Sequence, residues 1–191
     1  MEFLTDLWLP ILLSGVGVFV VSSVLHMGLQ YHKNDYVQIP NETAVLAALR
    51  SNGVKPGQYM FPRPASGSMK ECSSPEMLAK FKQGPVGSMI VLPDGMPSIG
   101  KSLLQWFLLS LAVGVFAAYV AGHSLSHGAP FAQVMRITGA VAFAGYALGN
   151  VTDSIWKGVS WSTTTKFLFD GLLYALTTGA IFAWKWPPLV G

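Results

Sequence analysis

A carboxylate inside an apolar run is the residue of greatest chemical consequence in this sequence. Asp170 is the only charged residue between positions 167 and 184. Ionising a side chain in hydrocarbon is costly, so an intramembrane Asp marks a functional position unless a neighbour neutralises it. Lys166 lies four residues earlier on the same helix face, which predicts an i,i+4 ion pair near the membrane boundary. The alternative is a proton or cation relay with polar groups at comparable depth, for which His26, Asn150 and Asp153 are the candidates. For His26 itself, a hydrogen-bonded intramembrane residue is expected rather than a metal ligand.

His123 and His127 are spaced to place two imidazoles on one helix face for a metal. Gly122 and Gly128 flank them, however, and argue against helix there. They fall at the outer end of the second apolar run, whereas His26 and His32 fall near the inner end of the first. Pairs on opposite membrane faces disfavour a bis-histidine haem held within one chain.

Residues 95–102, Gly-Met-Pro-Ser-Ile-Gly-Lys-Ser, satisfy the phosphate-loop pattern GxxxxGK[ST]. In such a loop backbone amides cradle the phosphates while the Lys and Ser serve the terminal phosphates and Mg²⁺. Gly95, Gly100, Lys101 and Ser102 are the residues that would do this here. Against it, the following helix is a membrane span, the preceding segment is too short for a nucleotide-binding parallel sheet, and no strand ending in a second Mg²⁺-binding Asp is visible. The expectation is therefore that Lys101 anchors the membrane interface and Ser102 caps the next helix.

The elements that must position these residues follow from composition. The chain has 191 residues, 51% hydrophobic and only 11% charged, against roughly 25% charged in a soluble domain. Thirteen of the 21 charges lie between Lys33 and Lys101, and runs 7–32, 102–135, 137–152 and 171–184 carry none. A span needs about 20 apolar residues, which predicts helices near 8–30, 103–122, 132–151 and 166–185. The fold class expected is an all-α membrane protein of four transmembrane helices with a small α/β cytoplasmic insert between helices 1 and 2. Its divisions are 1–32 (first helix), 33–101 (insert) and 102–191 (three-helix bundle).

With four spans, ten of the twelve basic residues fall on one side and only Arg136 and Lys185 on the other, so the positive-inside rule places the insert in the cytoplasm and both termini outside. The acidic start Met1 to Asp6 and the absence of a small-residue cleavage site favour a retained anchor over a signal peptide. Within the insert, Asn41 reads as an N-cap with Gly53 as the stop, and Ser74-Pro75-Glu76 opens a second helix closed by Gly84. Apolar stretches 58–61 and 88–92 read as paired strands, giving an α-β-α-β module. Its five methionines read as flexible core filler, and Cys72, the single cysteine, fits a reducing compartment. Gly145 and Gly149, with Gly171, Thr178 and Gly179, mark helix faces for close packing within the chain or against a neighbour. The tryptophans at 8, 106, 156, 161, 184 and 186 read as interfacial anchors.

The segments Ser22-Ser23-Val24-Leu25-His26-Met27 through His32-Lys33-Asn34-Asp35-Tyr36, and Asp153-Ser154-Ile155-Trp156 through Phe169-Asp170-Gly171-Leu172-Leu173-Tyr174, resemble a group of uncharacterised bacterial four-helix inner-membrane proteins with a cytoplasmic insert after the first helix. The likeness extends to Pro85-Val86-Gly87 and Lys101-Ser102-Leu103. It implies a bacterial inner membrane and carries no catalytic residue, substrate or cofactor.

Three functional readings stand at this level. The first is a non-enzymatic accessory or scaffold component of a membrane complex, with membrane lipid and a protein partner or second copy as its contacts and no nucleic acid. The second is a small transporter or channel component using Asp170 and His26. The third is a membrane enzyme or nucleotide-binding protein using residues 95–102.

Overall fold

The computed structural model describes residues 2–189. After a short α1 (Glu2–Asp6), four helices long and apolar enough to cross a membrane organise the chain: Trp8–Leu29, Ile99–Ser124, Phe131–Lys157 and Trp161–Trp184. This is the architecture of a multi-pass membrane protein. The first comprises α2 (Trp8–Ser23) and a π-helical turn, Val24–Leu29. The others are α6 (Ile99–Ser124), the composite of α7 (Phe131–Tyr146) and α8 (Val151–Lys157), and α9 (Trp161–Trp184). Helix α2 packs on α6 and α9, and α7 packs on α6 and α9, closing a four-helix ring.

Small and polar residues fill the interior of this ring: Ser14, Ser110, Gly114, Ala117, Ala118, Ala121, Thr138, Ala142 and Thr178 are buried. Large apolar side chains point outward, among them Val20, Leu108, Phe116 and Leu172. Lipid gives no hydrophobic drive for helix association, so close backbone approach between small residues supplies the packing instead. A Cβ built on Gly171 would lie 2.6 Å from the Cβ of Ala147, and one on Gly179 would lie 3.0 Å from the Met135 carbonyl oxygen. Gly145 meets Val113, whereas Gly149 faces open space.

The boundaries differ from the sequence reading in instructive ways. The third span is interrupted at a 3₁₀ turn, Leu148–Asn150. Asn150 donates its side-chain amide to the Tyr146 and Ala147 carbonyls, satisfying acceptors at the break. The second span starts at Ile99 with Ser98 as its cap, accepting from the Lys101 amide; Ser102, expected in that role, sits inside the first turn. Helix also continues through His123 despite Gly122. Trp106 is an interior residue rather than an interfacial anchor, packed against Tyr146 and Tyr174 with its indole N–H donated to Ser22 Oγ at 2.9 Å.

Residues Val37–Pro97 form a separate unit, while the described residues up to Tyr36 belong with the helices. The unit contains α3 (Glu42–Ser51), β1 (Gly57–Phe61), α4 (Met69–Cys72), α5 (Pro75–Gln83) and β2 (Gly87–Val91). The strands pair antiparallel with Tyr59 opposite Met89. Ser74 caps α5 by accepting from the Met77 amide, with Pro75 in the first turn. Asn41 takes a left-handed conformation and its side chain makes no cap bond, so α3 starts from backbone geometry alone. Short α4 is an extra turn beyond the α-β-α-β expectation. Among the described residues of this unit only Pro64 and Met77 are buried.

Candidate functional site

The first span places its polar residues through a change in helix type. At Val24 the α-helix widens into a π-helical turn that carries His26 and stops at Gln30, whose φ of 50° turns the backbone left-handed. π-helical turns recur at functional sites because they displace side chains from the regular helical register. The chain then doubles back, with Lys33 and Asp35 amides bonding to the Gln30 and His32 carbonyls. This tight turn presents His32 and Asp35 to the face of α9 that bears Lys166 and Asp170.

The i,i+4 pair predicted between Lys166 and Asp170 does not form, because the turn supplies each with another partner. Lys166 Nζ bonds Asp35 Oδ1 and donates to the Tyr31 carbonyl at 3.0 Å. Asp170 Oδ2 lies 2.9 Å from His32 Nε2 and 3.5 Å from His26 Nε2. His32 also reaches Asp35 Oδ2 through Nδ1, so one imidazole joins two carboxylates. The order is Lys166, Asp35, His32, Asp170, His26, and Tyr174 Oη closes it 3.4 Å from His26 Nε2.

Among the ion-pairing groups of this chain of contacts, the two carboxylates are the most buried. The side chains of Asp170 and Asp35 are 2% and 4% exposed, that of His32 13% and that of His26 41%. Asp170 Oδ1 is buried without a hydrogen-bond partner, an expensive state for a carboxylate oxygen. Ring contacts fix the orientation of His32, with centroids 4.7 Å from His26, 4.5 Å from Tyr31 and 4.9 Å from Phe167. For Asp35, burial pushes the carboxyl up, but hydrogen bonds and charge from Lys166 and His32 outweigh it and hold it below the usual carboxylate range.

An anionic Asp35 accepting from Lys166 makes His32 Nδ1 a donor. His32 Nε2 lies 2.9 Å from Asp170 Oδ2, so the one imidazole bridges the two carboxylates.

The remaining predicted residues stand apart from this site. Asn150 caps its own helix break, and Asp153 pairs with Lys157 one turn on. His123 Nδ1 bonds the Tyr119 carbonyl, while His127 Nε2 lies 3.5 Å from Asp6, so the two do not converge. Residues 95–102 follow in sequence a two-stranded antiparallel sheet, not the parallel sheet that carries a phosphate loop, and Gly95 and Gly100 have open surroundings. Cys72 is partly buried with its thiol toward the Ser68 carbonyl. Among the described residues, the group of three or more metal-ligating side chains is His26, His32 and Asp170.

Sequence reasoning placed Asp170 and His26 at similar depth but missed His32 and Asp35 as partners. The available signal was the HxxD spacing directly after the first span, on the same predicted membrane side as Lys166. Comparison with known proteins finds no matching family model, no matching curated protein and no matching solved structure.

Proposed function

We propose that this chain is a small transporter or channel component of a bacterial inner membrane, whose ion-handling centre is Asp170 with His32 and His26. One observation carries the reading: a carboxylate buried within a membrane-spanning helix is approached by two imidazoles and keeps one oxygen unpartnered. Intramembrane ionisable residues mark ion pathways when no purely structural partner neutralises them, and Lys166, the structural partner expected from sequence, is occupied by Asp35. Four helices barely enclose a pore, so the working unit is an oligomer. The distribution of lysine and arginine orients the chain with both termini outside and the insert cytoplasmic.

Reconstitution of the full chain into liposomes tests this reading, with entrapped dyes reporting proton, monovalent and divalent cation entry under an imposed potential. Flux above protein-free vesicles is expected for at least one cation and should fall to background in Asp170→Asn. Flux that is absent from the wild type, or indifferent to Asp170→Asn in a variant with an unchanged elution profile, overturns it.

The accessory or scaffold reading keeps support from the insert. Met60, Met69, Leu78 and Ile90 of this unit are more than half exposed, and so small a core gains from a partner surface. Gentle extraction that yields a stoichiometric second protein would favour it; a chain that elutes only with copies of itself would remove that support.

A further inference from the structure

We infer that His26, His32 and Asp170 form a binding site for a divalent transition cation of the zinc, cobalt and iron class, with Asp35 as the carboxylate that orients His32. The inference rests on reading this cluster as a cation-handling centre and names the cation.

Donor chemistry selects the class. Two imidazole nitrogens and one carboxylate oxygen suit borderline divalent transition ions, whereas calcium and magnesium prefer all-oxygen shells and copper(I) prefers sulfur. Geometry is compatible as it stands. One ligand atom from each residue lies within 4.8 Å of the others, and two of the separations are 2.9 Å and 3.5 Å. Bonds of about 2.0–2.1 Å in a tetrahedral shell require ligand atoms roughly 3.4 Å apart, so small side-chain movements would seat an ion.

Two further features point to a ligand rather than a self-contained cluster. Asp170 Oδ1 is buried and unpartnered, while Oδ2 faces the two imidazoles. His32 carries the outer-shell arrangement found on metal-bound histidines: Nδ1 faces the Asp35 carboxylate while Nε2 faces Asp170 and the site. Lys166 balances that carboxylate, so the ion sees one net negative charge from Asp170. Three protein ligands leave a position open, the pattern of exchangeable rather than purely structural sites. Of the three ligands, His26 has the most exposed side chain, 41%.

Cobalt(II) titration of the full chain in detergent, purified through a tag without histidine, reads the site directly through its visible ligand-field bands. One equivalent per chain with a four-coordinate nitrogen and oxygen spectrum, displaced by zinc, is expected. Binding should be lost in His32→Ala and Asp170→Asn, weakened about 10–100-fold in Asp35→Asn, and retained in a His123→Ala, His127→Ala double variant. His26→Gln, at a half-exposed position, serves where the buried variants misfold; it should weaken cobalt binding and alter the spectrum. No saturable cobalt binding by the wild type overturns the inference, as does binding that survives His26→Gln and Asp170→Asn unchanged or vanishes only in the double variant. Asp170-dependent proton or monovalent flux in a protein that binds neither cobalt nor zinc overturns the metal class alone. Stoichiometric cobalt binding in a protein that passes no cation supports the metal site and overturns the transport reading alone.

Discussion

The two ends of the helical bundle carry the same ingredients, two histidines and an aspartate, in opposite arrangements. At one end His26, His32 and Asp170 converge, and the aspartate is 2% exposed. At the other, Asp6 and His127 are each 43% exposed at 3.5 Å, and His123 is turned to a carbonyl of its own helix. That second end opens into a cleft of about 510 Å³ lined by Phe3, Tyr119, His123, His127 and Trp186. Residue type and spacing are thus not what makes the site. The difference is the chain reversal after Leu29, which presses His32 and Asp35 onto α9, whereas the turn at 126–129 bonds to Trp186 and Pro187 and leaves His127 beside Asp6 alone.

The contrast breaks most sharply at the aspartates. Asp170→Ala removes the anion facing two imidazoles in a dry interior, and loss of one partner of a buried pair costs about 3–5 kcal/mol. Asp6→Ala removes one partner of an exposed pair, for which about 0–1 kcal/mol is expected. Unfolding of both variants in the same detergent by denaturant titration should separate them clearly. Equal losses would mean that the two ends share one electrostatic character.

A second, smaller effect tests whether helix approach holds the site together. Gly171→Ala drives a methyl group into Ala147, 2.6 Å from its Cβ and 3.0 Å from its Cα; overpacking of this kind costs about 1–3 kcal/mol. It should also shift Asp170, its chain neighbour, and so perturb cation binding. Gly149→Ala meets nothing within 4 Å and should change stability by less than about 0.5 kcal/mol. Comparable behaviour of the two variants in unfolding and cobalt titration would remove the close contact between α7 and α9 as a determinant of the site.

These effects explain which parts of the molecule could be read in advance. Span number and approximate position follow from charge-free runs, because lipid imposes length and polarity residue by residue. The glycines at 171 and 179 were legible as contact points for the same reason. The convergence of His32 and Asp35 on α9 was not, since it depends on a π-helical turn and a left-handed Gln30, neither of which has a distinct hydropathy signal. Local spacing favoured Lys166 with Asp170; tertiary structure put Asp35 next to Lys166 instead. Trp106 was misplaced because interfacial and interior tryptophans look alike in sequence until a buried acceptor, here Ser22, is known.

The smallest effect in this series concerns that tryptophan. Trp106→Phe keeps an aromatic ring between Tyr146 and Tyr174 but removes the indole N–H that Ser22 Oγ accepts at 2.9 Å. The serine hydroxyl remains bonded to the Phe19 carbonyl of its own helix, so no donor is orphaned and the loss should be about 0.5–1.5 kcal/mol. Because Tyr174 contacts both Trp106 and His26, the variant also asks whether the aromatic group supports the site or only fills space. A stability change of that size with unaltered cobalt binding assigns Trp106 to packing. A weakened cobalt spectrum would extend the converged end of the bundle one layer deeper, through Tyr174 to Trp106, and make its difference from the His127 end a property of the interior as well as of the turn.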